Sequence, residues 1–446
     1  MSKCKSIFCF ISTVFLMVLL GVHYCIGAEA QTVKIGVYGP MKFFAGIDGR
    51  RGAELAAEEI NANGGISIKG IKHKVELFIA DSNELISVSD ALNAVERLVK
   101  LNNVRFVMGG NRSEAALAMM DMMSANKVIF MTTGCSHPEF SLRVAKEYEK
   151  YKYWFRVGVP SVRGIGTVAL GVLEEAMYSV RNKLEVKKPR VAIIAEKAKF
   201  ADAMLEMAIQ TVNKLDGEVV GSWRPSPHAS DVTAELTAIK DAGTHLIFPI
   251  LAGPIGVTVS RQWGQLQIPI GLVGFNNEAM QPMHWKNTGG MCNYEASYNM
   301  LSGSTKISNK TLPFYNKFKA KFGEFPAAVA VGNHDAIYMI KRVIEETGTL
   351  DSNTLIKKLE NIDFVGVASP RVAFHPEGHK WAHDLIYGPG YTTLVGIQWR
   401  DGDYVTIWPT GRSVLGDKSW EGIRYEGTRD YELPPNMLEY WKKKGK

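Results

Sequence analysis

VRFVMGGNRSEAALAMMDMMSANKVIFMTTGCSHPEF, residues Val104–Phe140, decides how the rest of the chain is read. Val104–Met108 reads as a buried strand, and Gly109–Arg112 as a turn. Ser113 stands where a helix N-cap belongs, before the Met- and Ala-rich helix Glu114–Ala125. Val128–Met131 is a second strand, and Thr132–Pro138 a turn of small and polar residues. Strand, helix and strand make a β-α-β unit, whose crossover joins parallel strands. The strand ends Asn111–Ser113 and Thr133–Ser136 then lie side by side at one edge of a parallel sheet, where open α/β sheets bind small ligands. Ser113 brings a hydroxyl, while Gly134, Cys135 and Ser136 bring backbone N–H groups at a turn. Such groups suit an anion, a carboxylate first of all. The bland alternative is an ordinary cap followed by an ordinary turn.

Outward from this unit the alternation continues. Upstream come a strand at Val33–Tyr38, a loop at Gly39–Gly49 and a helix near Arg50–Asn61, stopped by Asn63-Gly64-Gly65. A strand at Val75–Ala80 follows, then a helix capped by Ser89 or Asp90, with Leu92, Val95 and Val99 on its buried stripe. Downstream, Tyr153–Val157 reads as an extended crossing segment that Pro160 ends. The pattern then restarts with strands at Arg190–Ala195, Gly217–Trp223, His245–Ile250 and Ile270–Gly274. The helices Arg163–Arg181, Ala201–Leu215, one capped by Ser230-Asp231, and Ile255–Leu266 are interleaved with them. From about Met291 the order changes, with helices at Pro313–Phe322, Ala328–Thr347 and Ser352–Asn361. Late strands are expected at Leu385–Trp399 and Tyr404–Trp408, around a turn at Asp401-Gly402. Two equal α/β runs predict an α/β fold of two doubly wound parallel-sheet lobes, joined by several crossings around a hinged cleft.

The chain has 446 residues, 46% of them hydrophobic, which is more than one typical domain needs. Lys3 and Lys5, the apolar stretch Ile7–Val22 and Ala28-Glu29-Ala30 fit a signal peptide over Met1–Ala30. A retained anchor is the rival reading, and Tyr24 before Cys25 is too large for a lipoprotein signal. The expected location is periplasmic or extracellular, and no later apolar run is long enough to span a bilayer. Cys135 and Cys292 remain after cleavage and are expected as free thiols. The net charge of +7 is partly local to the four lysines of Lys442–Lys446. No basic stripe with interleaved aromatics points to nucleic acid.

Several constellations carry side chains of chemical interest. Gly46–Gly52 resembles a phosphate loop only loosely, because the dinucleotide spacing and the Lys-Ser/Thr pair are missing. His375, His379 and His383 are spaced by four, but Pro376 and Gly378 break the helix a metal site would need. Cys135-Ser136-His137 joins nucleophile and base types, yet no orienting acid accompanies them. No cofactor or metal is therefore expected. Phe43 and Phe44 follow the first strand on the cleft side, and Phe200 follows Arg190–Ala195 from the other lobe. Leu251, just after the strand His245–Ile250, joins the expected apolar lining. A carboxylate clamp between aromatic rings describes a pocket for a small organic acid with an apolar body.

At this point the chain resembles the periplasmic branched-chain amino acid (leucine/isoleucine/valine) substrate-binding proteins of ABC transporters. The carrying segments are VKIGVYGPM, GAELAAEEINANGGI, VMGGNRSEAALA with MTTGCSHPEF, and VAIIAEKAKFADA, spread over nearly the whole mature chain. The resemblance implies a type I periplasmic binding fold with three hinge crossings, ligand-driven closure and docking on the transmembrane subunits of an ABC permease, by a protein that is monomeric and not an enzyme. It implies lobes of residues 31–157 plus about 288–384, and 158–287 plus about 385–446. In the family, a Ser after the third strand and the next turn hold the ligand's carboxylate; here these match Ser113, Cys135 and Ser136, with Arg112 and Thr133 beside them. The family's acid for an ammonium group follows the strand ending at Gly274, where this chain places Asn276, with Glu278 nearby. A buried ammonium without a counter-charge is costly, so a non-amino solute (an aromatic acid, an amide or urea) is the alternative to a hydrophobic amino acid. A sensor subunit for a membrane receptor and a hydrolase using Cys135 are the rivals from other classes.

Overall fold

The computed structural model describes residues 32–444, so the signal-peptide reading of Met1–Ala30 lies outside the described residues. The first sheet contains β1 (Thr32–Gly39), β2 (Ile66–Ile68), β3 (Ile71–Asp81), β4 (Phe106–Gly109), β5 (Ile129–Thr132) and β6 (Trp154–Arg156). Their order is β2-β3-β1-β4-β5-β6, all parallel except the β2–β3 hairpin. From the central β1 the chain goes first to one side and then to the other. The carboxyl ends of β1 and β4 therefore flank a topological switch point. The segment expected to be a crossing at 153–157 is instead the edge strand β6. The reason is packing: Trp154 stacks on Phe140 with ring centres 5.1 Å apart and donates from its indole to Thr132 Oγ1 at 3.1 Å.

The second sheet repeats the scheme with β7 (Arg190–Ala195), β8 (Glu218–Trp223), β9 (Leu246–Leu251), β10 (Gly271–Leu272) and β11 (Phe275–Asn276). The order is β10-β9-β7-β8, with β11 also paired to β9, so its switch point lies between β7 and β9. A smaller antiparallel sheet, unexpected in its first member, joins β12 (Ala296–Asn299), β13 (Val395–Arg400) and β14 (Asp403–Trp408). The β13–β14 turn falls at Asp401-Gly402, as the sequence indicates, with φ of 53° and 90°. The late strand is shorter than expected: residues 385–394 make only isolated bridges.

The helix Val162–Leu184 is buried along most of its length and packs with the second sheet and with β12–β14 in one core. The helices Ala328–Thr347 and Ser352–Glu360 share a different core with β1, β4 and β5. The chain thus passes between the two bodies three times, after β6, after β12 and before β13. Among the described residues, no helix is long and apolar enough to cross a membrane.

The glycines read as a loop are helical. The first helix is Phe44–Ala62, and Gly46, Gly49 and Gly52 lie three apart on one of its faces. Ala328–Thr347 presses against that face: a Cβ on Gly52 would lie 2.2 Å from the Ala330 carbonyl oxygen. Between them the buried Asp48 accepts the N–H groups of Ala327 at 3.0 Å and Ala330 at 2.8 Å. It caps the second helix, whose own N-cap residue supplies no side-chain bond.

Candidate functional site

In the first sheet the ends of β4 and β5 meet, as the β-α-β reading requires. Gly109 has φ of 121°, and a Cβ there would fall 2.0 Å from the Tyr38 carbonyl oxygen, so the turn after β4 needs glycine. The helix starts at Ser113, with Arg112 as its N-cap residue, one position earlier than expected. Ser113 does not cap it. Its half-buried hydroxyl reaches across and accepts the His137 N–H at 3.4 Å, bridging the two strand ends. The Gly134 N–H is not available to a ligand, because it donates to the Gly110 carbonyl at 3.0 Å. The N–H groups of Cys135 and Ser136 take no backbone partner among the described residues.

Two side chains expected in the lining turn inward. Thr133 is fully buried and donates to Asn333 Oδ1 at 2.8 Å, tying the turn to the helix pair beneath. The Cys135 thiol is fully buried, and burial with Glu84 nearby pushes its pKa well up. A neutral, enclosed thiol is not a nucleophile. Both Cys135 and Cys292 are free thiols. Arg112 lies along the rim, donating to the Glu84 carbonyl at 3.1 Å and pairing with Glu114 at 3.4 Å. Phe43 is exposed and Phe44 half-buried, at the start of the helix that follows β1.

Beneath the 135–137 turn lie charged residues that sequence reasoning missed. Arg156, fully buried in β6, pairs with Asp384 at 2.6 Å and donates to the carbonyls of Cys135 and His137, the latter at 2.8 Å. Its guanidinium also lies over the rings of Trp154 and Phe140. Buried Glu84 accepts the Asn111 N–H at 2.9 Å, and burial pushes its carboxyl up to about 7. Each had a signal in the sequence, a charge inside or beside an apolar strand.

In the second sheet the β7/β9 switch point holds Glu196, also missed. It is 4% exposed, and its Oε2 accepts the N–H groups of Ala252 and Gly253, both at 3.0 Å. Phe200 is 43% exposed and lies 6.2 Å from Phe275, whose ring stacks on Tyr298. Leu251 is fully buried in the core behind β9 rather than in the lining. Asn276 is fully buried too, with Nδ2 donating to Glu295 Oε1 at 2.7 Å and Ser260 Oγ at 3.2 Å. Its side chain is a structural tie and does not face the cleft. Glu278, one turn on, is half-buried; burial raises its pKa while His284 beside it pulls the other way. Glu196 and Glu278 are thus carboxylates at the strand ends of this sheet. Two surface hollows of about 350 and about 520 Å³ are lined by none of these residues and lie on the helices around Lys341 and Lys321. Ion pairs such as Lys341 with Glu345 wall them.

His375, His379 and His383 do not lie on one helix, and their rings take different partners. His383 is buried, contacting the Trp154 carbonyl at 2.9 Å and Glu360 at 2.7 Å, while His375 and His379 stack on each other.

The periplasmic binding protein family model matches residues 32–388. The chain belongs to the periplasmic binding protein family. A curated relative, the Leu/Ile/Val-binding protein homolog 7 of Brucella abortus, is 20% identical over 383 residues, covering 84% of this chain and 90% of its own length. Among solved structures, a putative branched-chain amino acid ABC transporter from Silicibacter pomeroyi superposes with a TM-score of 0.71 at 18% identity, covering 91% of this chain and all of that one. An ABC transporter solute-binding protein from R. palustris in complex with benzoate gives 0.62 at 14% identity, over 84% of this chain and 95% of that one. As a family member with these neighbours, the chain has the α/β fold of two parallel-sheet lobes that its sequence resembles.

Proposed function

We propose that the chain is an exported solute-binding subunit of an ABC importer, monomeric and without catalytic activity. It takes a small carboxylate-bearing, partly apolar solute between the two sheet ends and delivers it to the permease's transmembrane subunits. The observation that carries this reading is the pairing of switch points. The first sheet offers Ser113 with the N–H groups of Cys135 and Ser136, which take no backbone partner among the described residues, and the second offers Phe200, Glu196 and Glu278. The names of the relatives agree with a transport role, and their range spans amino acids and benzoate. The lobes are residues 32–157 with the helices from Thr311 to about 384, and 158–299 with the C-terminal part, because β12 pairs with β13 and lies in the second lobe's core.

Arg112, Ser113 and the 133–136 turn face the carboxylate, and Phe43, Phe44 and Phe200 flank the apolar body. With the Asn276 side chain withdrawn into the lobe, an ammonium group would rely on Glu278 or Glu196. The test is the melting temperature of the mature protein with two sets of ligands. One is leucine, isoleucine, valine and phenylalanine; the other is their non-amino analogues and benzoate. A ligand at a hundred times its Kd adds about 2.7 kcal/mol. A shift with either set supports the carboxylate clamp, and the set that works names the ligand class. Ser113→Ala should then weaken binding about ten-fold, the loss of one charge-assisted hydrogen bond. A shift with uncharged amides alone, or unchanged affinity in Ser113→Ala, would overturn the reading.

A further inference from the structure

Behind the second lobe's strand ends, His284, Cys292 and Glu295 converge. Each offers a donor atom within 4.8 Å of the other two, and all three side chains are fully buried. They come from one short stretch. The helix His284–Thr288 ends at the Gly289-Gly290 turn, which brings Cys292 back beside the helix, and a second turn from the Cys292 carbonyl to the Glu295 N–H leads into β12. We propose that these three residues bind one thiophilic divalent transition-metal ion, zinc(II) first, as a structural site of the second lobe.

Three features separate this trio from a chance cluster of polar residues. The donor set is imidazole, thiol and carboxylate, the types that zinc takes in three-residue protein sites, with the fourth tetrahedral position left to water. Magnesium and calcium prefer oxygen donors alone, so the cysteine selects against them. Next, the carboxylate is already oriented: Glu295 Oε1 accepts from Asn276 Nδ2 at 2.7 Å, and Asn276 is held by Ser260 in turn. Metal ligands are commonly fixed by such outer contacts. Finally, the donors already converge: His284 Nε2 lies 2.9 Å from Glu295 Oε2, and Cys292 offers its sulfur within 4.8 Å of a donor atom of each.

The charge count favours the ion. Binding displaces the Cys292 thiol proton to solvent and leaves a thiolate, a carboxylate and a neutral imidazole around a dication, which sums to zero among fully buried side chains. Zinc bond lengths of about 2.0–2.3 Å place tetrahedral donors roughly 3.3–3.8 Å apart, so the His284–Glu295 pair at 2.9 Å opens by about half an ångström and donors within 4.8 Å of one another close by at most about 1.5 Å. The ion would staple the start of β12 to the helix that follows Glu278. Through Asn276 it would also brace the end of β11, on the wall of the proposed cleft.

The experiment strips the purified mature chain with a chelator in mild urea and returns it to buffer with one equivalent of zinc chloride. Loosely bound ion is removed before elemental analysis. The expected result is about one zinc per chain and a melting temperature several degrees above the stripped form. Cys292→Ser and Glu295→Gln should each lose most of the zinc, while His379→Ala, in the stacked histidine pair elsewhere, keeps it. Cobalt(II) loading of the unsubstituted chain gives a readout that no folding defect can mimic, a thiolate-to-cobalt charge-transfer band in the near ultraviolet. Less than about a tenth of an ion per chain in the unsubstituted protein would overturn the proposal. So would zinc retained by Cys292→Ser, or cobalt bound without the thiolate band.

Discussion

Arg156→Leu is the substitution with the most to say about the clamp. The guanidinium is fully buried, and it holds three partners at once: the Asp384 carboxylate at 2.6 Å, the Cys135 carbonyl and the His137 carbonyl at 2.8 Å. Leucine fills much of the volume but strands Asp384, itself 5% exposed, with only the Leu385 N–H at 2.9 Å and a long contact to Ser141. Breaking one side of a buried pair costs about 3–5 kcal/mol, most of it the uncompensated charge. The orphaned carbonyls belong to the 135–137 turn, so ligand affinity should fall as well, by at least about ten-fold. Urea denaturation followed by tryptophan emission measures the first effect, with Trp154 beside the substituted side chain, and calorimetric titration measures the second. The double variant Arg156→Leu/Asp384→Asn removes the stranded charge and should recover at least half of the stability, but not the affinity, since the turn is still unanchored. If Arg156→Leu costs under about 1 kcal/mol, or if Asp384→Asn adds its full cost on top, the pair does not hold the turn as argued.

Two further outcomes follow from buried groups. Glu84 has a carboxyl raised from 4.5 to about 7 by burial, so the folded state keeps its proton through a range in which the unfolded chain has lost it. Its unfavourable contribution therefore grows as pH rises from about 4.5 to about 7 and is then constant, at about 3 kcal/mol. Glu84→Gln, which can still accept the Asn111 N–H, should match the parent at pH 4 and exceed it in melting temperature at pH 8; a difference independent of pH would refute the shift. Gly52→Ala should destabilise by about 1–3 kcal/mol, because its Cβ would lie 2.2 Å from the Ala330 carbonyl oxygen. An unchanged thermal midpoint would mean that the two helices part without strain.

The fold was legible wherever a segment's own pattern decides its state. The apolar runs at β1, β4, β5, β7 and β9 and the stripe of the helix Val88–Lys100 are local facts, and their alternation forces parallel sheets. What escaped depended on distant partners. The Gly46–Gly52 spacing looks like a loop until Ala328–Thr347 lies against it, since glycine is a poor helix former and only the close approach explains it. The β6 segment reads as a crossing until Phe140 and Thr132 cover its tryptophan. β12 gains strand character from β13, about a hundred positions away in sequence.

The candidate site divides along the same line, but by atom rather than by element. The meeting of Ser113 with the 133–137 turn follows from topology alone, and it is there. Which way each side chain points does not follow. Thr133, Cys135, Leu251 and Asn276 stand beside half-buried neighbours at strand ends, where the alternation of a strand gives way to the irregular turn and no period predicts inside from outside. Asn276 shows the consequence. The resemblance implies a ligand-facing side chain there, yet its amide is taken up by Glu295 and Ser260, and the carboxylates near these strand ends are Glu196, buried, and Glu278, half-buried. The Glu295 carboxylate that takes up the Asn276 amide also meets His284 and lies beside Cys292. The inward turn of Asn276 and the donor cluster behind it are therefore joined through one carboxylate, and a sequence read one residue at a time separates them.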